Sequence, residues 1–250
     1  MEPAKALIVI SVWGGLIVSA DAADVTLTAP TGDSTIYTPI PWAEVFTGFA
    51  AGPHSYYADA GAVLALNRNL DADGFLVRMR GSGGSYSSDR TPAIHQSVFF
   101  EAGEVMLGYH ASVAGVNLTG YIGPEVQHHA NKDPTATVAG TRWGIKGQVQ
   151  LYTPFADNWY FFGLGSISSA WSSYFALAKV GYRVTHALAI GPEVAALGNV
   201  SFDAIRAGAF VNLGTALGEI TLSGGYQWNE HSDTTKGDGL YGSLGVRKTF

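Results

Sequence analysis

The chain has 250 residues, no cysteine, 14% charged residues, 47% hydrophobic residues, 32 glycines and a formal net charge of −6. Ordinary soluble domains carry about 25% charged residues and about 7% glycine, so this chain is poor in charge and rich in glycine, and it is too apolar to be disordered. The absence of cysteine excludes a disulfide scaffold and a thiolate zinc site; the glycines follow no Gly-X-Y period, which removes collagen; and the acidic balance gives no electrostatic case for nucleic acid as a partner.

Residues 1–23 read as an export signal: Lys5, an apolar run from Ala6 to Ala20, and small residues that suit cleavage after Ala20 or Ala22. The run is short for a membrane helix of about 20 residues, and Gly14-Gly15 interrupts it. The mature chain is therefore expected to leave the cytoplasm, with residues 24–43 forming a periplasmic segment and 44–250 a single domain.

Beyond Ala23 no run approaches the 18 apolar residues of a membrane helix. Alternation with period two, bounded by Gly, Pro, Asn and Asp, predicts strands instead. In chain order they fall at 44–51, 56–66, 74–87, 98–112, 116–128, 137–152, 159–169, 174–185, 187–198, 204–214, 219–229 and 239–250. The clearest separates Trp143, Ile145, Gly147, Val149 and Leu151 from Arg142, Gly144, Lys146, Gln148 and Gln150. The strands at 56–66 and 159–169 alternate poorly.

The polar parity is sparse in charge and rich in Gly, Ser, Asn and Gln, which suits the inside of a closed tube better than the wet face of a soluble sheet. Rings near strand ends (Tyr109, Trp143, Trp159, Tyr160, Tyr182, Trp228) suit an interface girdle. The long connections near 88–97, 129–136 and 230–238 follow strands three, five and eleven and so share one side, while short turns share the other. The expected fold is thus all-β: a transmembrane antiparallel up-and-down β-barrel of about 12 strands in the outer membrane, with a cleaved N-terminal signal peptide and both termini periplasmic. One connection, Asn67 to Asp73, is long and polar on the periplasmic side. A soluble periplasmic β-protein is the competing architecture.

The chain closes on Tyr241 to Phe250, an alternating strand with a terminal aromatic that resembles the insertion signal of outer-membrane proteins, apart from Lys248. Val45-Phe46-Thr47-Gly48-Phe49, Tyr56-Tyr57, Ala60-Gly61-Ala62-Val63 and Ala65-Leu66-Asn67 are followed by Asp73-Gly74-Phe75-Leu76-Val77-Arg78 and Met106-Leu107-Gly108-Tyr109. Gly191-Pro192-Glu193 and Arg206-Ala207-Gly208-Ala209 complete the order. In these residues, from about 44 to the end, the chain resembles the cellulose biosynthesis protein BcsS family. The resemblance implies an outer-membrane accessory to cellulose production or export, with glucan and other components of the cellulose-synthase complex as partners. It brings no catalytic residues and no cofactor.

Inward parity collects Arg78, Arg80, Arg142, Lys146, Lys179, Arg183, Arg206 and Arg247, against Asp59, Glu104, Glu125, Glu193 and Glu219. Buried charges are costly unless paired, so the expected role is a mutually paired network that fills the lumen; a ligand-lined path is the alternative. Glu125 and Glu193 both follow Gly-Pro, and a proline that forfeits a ladder bond predicts a bulge or bend there. Inward aromatics are few on this reading (Tyr57, Tyr121, Phe210, Tyr241), which argues against a wide exit for a glucan. A membrane-embedded hydrolase acting on lipid or polysaccharide would need a Ser, His and carboxylate set. Glu104, His110 and Ser112 share a strand, but about 20 Å separates the first two at about 3.3 Å per residue. His128 and His129 beside Asp133 are cation-ligand types, but adjacent strand residues face opposite ways.

Overall fold

The computed structural model describes residues 40–89, 95–132, 136–230 and 237–250. The expected signal at 1–23, most of the 24–43 segment and parts of the three long loops lie outside the described residues. Twelve strands follow one another: β1 (Ala43–Gly52), β2 (Ser55–Ala65), β3 (Gly74–Asp89), β4 (His95–Val113), β5 (Val116–His129), β6 (Gly140–Ala156), β7 (Trp159–Ser168), β8 (Tyr174–Thr185), β9 (Leu188–Asn199), β10 (Phe202–Thr215), β11 (Gly218–Glu230) and β12 (Gly239–Thr249). Each pairs antiparallel with its sequence neighbours, and β1 closes on β12 from Glu44↔Thr249 to Ala51↔Gly242. Closure leaves no strand edge, the condition for a sheet to cross hydrocarbon.

The outward parity is apolar: Trp143, Ile145 and Val149 on β6 are 72%, 64% and 51% exposed on the isolated chain, which places them against lipid in a membrane. Tyr109 packs edge-on to Phe75, and Trp159 lies 5.0 Å from Tyr182, near the periplasmic ends of their strands; Trp143, Tyr226 and Trp228 sit toward the opposite end. Tyr160 does not belong to this girdle. Its neighbour Trp159 faces out, so Tyr160 faces in, and it is 4% exposed.

Periplasmic turns are tight. Ala114 and Gly115, at φ 52° and 81°, form the two-residue turn between β4 and β5, and left-handed φ at both positions is what such a hairpin requires. The 66–73 connection between β2 and β3 is the exception. Leu70 donates its N–H to the Pro41 carbonyl at 2.8 Å and packs against the interior cluster of Phe46, Val63, Leu76, Met106 and Tyr121. Asp73 Oδ1 accepts the Ser112 N–H at 2.8 Å, which ties the loop to the end of β4.

Each Gly-Pro pair interrupts its ladder without a bulge. Opposite Gly123-Pro124 the β4–β5 ladder lapses between Glu104↔Glu125 and Leu107↔Ile122, and opposite Gly191-Pro192 the β8–β9 ladder lapses between Lys179↔Glu193 and Tyr182↔Ile190, with register unchanged across both gaps. The glycines are needed here: a Cβ on Gly123 would lie 2.0 Å from the Val105 carbonyl oxygen, and one on Gly191 1.8 Å from that of Val180.

Candidate functional site in the lumen

The interior is divided between two polar clusters built on different arcs of the barrel. The first lies on β2 to β6. Lys146 Nζ reaches Glu104 Oε2 at 2.6 Å and Glu125 Oε1 at 3.0 Å, Arg80 Nε reaches Asp59 Oδ2 at 3.1 Å, and Glu104 also lies 3.8 Å from Arg78 and 3.9 Å from Arg80. Arg80 donates to the Tyr57 hydroxyl, and the Arg78 guanidinium is sandwiched at 5.1 Å from the Phe46 ring and 5.7 Å from the Tyr121 ring. Gln127 Nε2 donates to Glu125 Oε2 at 2.8 Å. Such pairing lowers the cost of ions in a low-dielectric interior, although Arg78 Nε and Glu104 Oε1 face each other without a hydrogen bond.

The second cluster lies on β8 to β12. Glu193 takes Lys179 Nζ at 3.0 Å, the Ser223 hydroxyl at 2.9 Å and the Tyr241 hydroxyl at 2.9 Å. Arg206 stands beside it, donating from Nε to Gln227 Oε1 at 2.6 Å with its guanidinium 5.2 Å from the Tyr241 ring. Nearer the periplasm Arg247 bridges Glu219 at 3.0 Å and Glu44 at 3.7 Å. Arg183 donates to the Tyr152 hydroxyl and lies over the Tyr160 ring.

Above the clusters, toward the long loops, opens a vestibule of about 580 Å³. One wall is aromatic: Tyr57 stacks on Phe100 with centroids 5.8 Å apart, Phe100 on His129 at 5.4 Å, and Trp171 meets His129 edge-on at 4.7 Å. The Tyr86 hydroxyl bonds His129 Nδ1 at 3.1 Å. Ser82, Ser85 and Ser166 add hydroxyls, and Arg80, Lys146 and Arg206 reach the cavity from the polar clusters. A cavity of about 50 Å³ lies lower, between β8–β12 and β1, and shares Phe175 and Arg206 with the vestibule. The remaining cross-section is packed: Phe162, Phe210, Met106, Gln148 and Arg78 are all at most 2% exposed.

Of the sequence-selected charges, Arg78, Arg80, Glu104, Glu125 and Lys146 meet in the first cluster, while Lys179, Glu193 and Arg206 meet in the second. Glu219 and Arg247 form the periplasmic pair and Arg183 stands with the tyrosines. Arg142 is exposed near the extracellular end of β6, where the strand rises past Lys146↔Ser168, the last pair it makes with β7. The interior aromatics exceed expectation: Phe46, Phe100, Tyr152, Tyr160, Phe162 and Phe175 also face in. Extending the parity of Glu104 to Phe100, or of Lys179 to Phe175, finds two of these.

Glu104, His110 and Ser112 do not converge. Glu104 is held by Lys146, His110 Nδ1 bonds the Thr119 hydroxyl at 2.9 Å, and Ser112 donates to Asn117 at 2.8 Å. His128 bonds Thr141 on the outside while His129 is buried inside, and Asp133 lies outside the described residues.

A closed antiparallel barrel with an apolar exterior, aromatic rings near both ends and a polar interior defines an outer-membrane β-barrel. The KdgM porin shares the fold at 10% identity, with a TM-score of 0.51 over 83% of this chain and 99% of that one. The COG4313 outer membrane channel from Pseudomonas putida F1 shares it at 12% identity, with a TM-score of 0.53 over 88% of this chain and 100% of that one. Within the class, the chain belongs to the cellulose biosynthesis protein BcsS family, whose model matches residues 45–250. No curated protein sequence matches it. Family and fold together place it in the outer membrane.

Proposed function

We propose that this barrel serves cellulose biosynthesis by holding glucan segments in its extracellular vestibule, as a docking component beside the route that exports the polymer. Residues 1–23 would direct export and be removed, and residues 24–43 would remain periplasmic, available to other components of the cellulose-synthase complex. The observation that carries the reading is the vestibule: an aromatic wall from Tyr57 through Phe100 to His129, with serine hydroxyls, above a packed and ion-paired layer. Flat rings match the apolar faces of pyranose rings, and hydroxyls match their edges. The packed layer leaves no bore for a whole glucan chain.

Titration of the folded barrel in detergent with cellohexaose, by calorimetry, tests this. Saturable binding weakened about tenfold in Phe100→Ala is expected, the scale of one stacked ring. Absence of binding to a barrel that keeps its folded gel mobility would overturn it. The meeting of the two cavities at Phe175 and Arg206 favours a second reading, a narrow gated passage for small solutes, which planar-bilayer conductance tests.

A further inference from the structure

Among the described residues the buried ionic side chains number five cations (Arg78, Arg80, Lys146, Lys179, Arg206) and four carboxylates (Asp59, Glu104, Glu125, Glu193). The surplus has a location. Lys179, Ser223 and Tyr241 occupy the carboxylate of Glu193, and among the described residues no carboxylate forms an ion pair with Arg206 within 4 Å. Its Nε is taken by a neutral partner, the Gln227 amide oxygen, and it is 4% exposed. A buried guanidinium with a neutral partner is a costly arrangement unless an acceptor arrives. Arg206 borders the vestibule, and a Cβ added to Gly52 of β1 would lie 3.5 Å from its Nη2. The carboxylates near the vestibule are engaged: Glu125 by Lys146 and Gln127, and Asp203 by the Tyr174 hydroxyl at 2.8 Å.

We infer that the vestibule is a binding site for a saccharide bearing an oxyanion substituent, with the Arg206 guanidinium as the anchor for the oxyanion and the Tyr57–Phe100–His129 wall as the platform for the sugar. This rests on the glucan-holding reading and adds a charge requirement to it. Gln227 fixes the guanidinium through Nε and leaves the terminal nitrogens to form the paired bonds that a carboxylate or phosphate accepts. Replacing Gln227 by glutamate would satisfy Arg206 internally and close the site without removing the cation.

The experiment compares cellotetraose, cellotetraose oxidised at C6 to carry carboxylates, and inorganic phosphate, each titrated into the full barrel in detergent. The wild type should bind the carboxylated sugar about tenfold or more tightly than the neutral one, the scale of a charge-assisted hydrogen bond. The preference should shrink as salt rises, and both Arg206→Gln and Gln227→Glu should abolish it. Equal binding of both sugars by the wild type, or a preference that survives both substitutions, would overturn the inference and leave glucan holding intact. Binding of neither sugar would overturn both. Phosphate binding as tightly as the carboxylated sugar would refute the saccharide part. The wild-type comparison stands even where a variant fails to fold.

Discussion

Glutamate 104 is the hub of the first polar cluster, and its neutralisation is the most direct test of how the barrel is held closed. Its side chain is 3% exposed and faces Lys146 at 2.6 Å, Arg78 at 3.8 Å and Arg80 at 3.9 Å. In Glu104→Gln three cations would share Asp59 and Glu125. Each close pair is worth about 4 kcal/mol at 4 Å in a medium of effective dielectric about 20, and the recovered desolvation of one carboxylate offsets several kcal/mol of the total. The expected net loss is about 3 kcal/mol, the lower end for breaking a buried pair, because glutamine keeps an acceptor for Lys146. Urea unfolding in lipid vesicles, read by the mobility of unboiled samples, measures it. Arg78→Met in the same chain should recover about 1 kcal/mol or more, since it removes one of the excess charges and leaves an apolar side chain between the Phe46 and Tyr121 rings. A single variant within about 0.5 kcal/mol of the wild type, or a strictly additive double variant, would refute the network as a source of stability.

Gly123→Ala and Gly191→Ala should each cost about 1–3 kcal/mol or prevent insertion, because the new Cβ meets a carbonyl oxygen at 2.0 or 1.8 Å. Gly165→Ala, which points into open space, should change stability by less than about 0.5 kcal/mol in the same unfolding assay. Ile122→Arg, midway along the lipid face of β5, should destabilise by about 2–4 kcal/mol, and Leu240→Arg, near the extracellular rim, by about 0–1 kcal/mol; equal costs would contradict the assigned membrane position. Phe175→Ala removes the ring that borders both cavities, so single-channel conductance in planar bilayers should rise clearly above the wild-type level. Unchanged conductance would place the constriction elsewhere.

Strand number, order and side were legible because a lipid-facing wall forces period two on one face. β8 runs from Tyr174 to Thr185, as the alternation predicts. β6 is predicted to end at 152 but continues to Ala156, since the Thr-Pro-Phe-Ala stretch breaks the pattern where a register shift between Pro154 and Ala156 absorbs an extra residue. The inward aromatics were harder to read. β7 carries Tyr160, Phe162 and Leu164 inward beside Phe161 outward, so hydrophobicity marks both faces and the alternation fades although the geometry is regular. The inward fold of the 66–73 connection was not legible either. It depends on Leu70 reaching an interior cluster contributed by β1 to β5, a contact without a local signature.

The two arcs of the lumen differ in what opening them would require. On β2 to β6 the side chains are joined by ion pairs in which each carboxylate meets a cation, so displacing one leaves another charge exposed to an apolar wall. On β6 to β10 the filling is a hydrophobic cluster that includes Phe162, Phe175, Leu177 and Phe210, and beside it Arg206 bonds the neutral Gln227 amide. A rotamer change of Phe175 there costs packing but strands no ion pair. All of these groups are carried by strands of a closed sheet, so the periphery stays fixed while individual side chains move. Any ligand-driven rearrangement is therefore directed to the Phe175 and Arg206 side, where an incoming oxyanion supplies the acceptor that the guanidinium lacks.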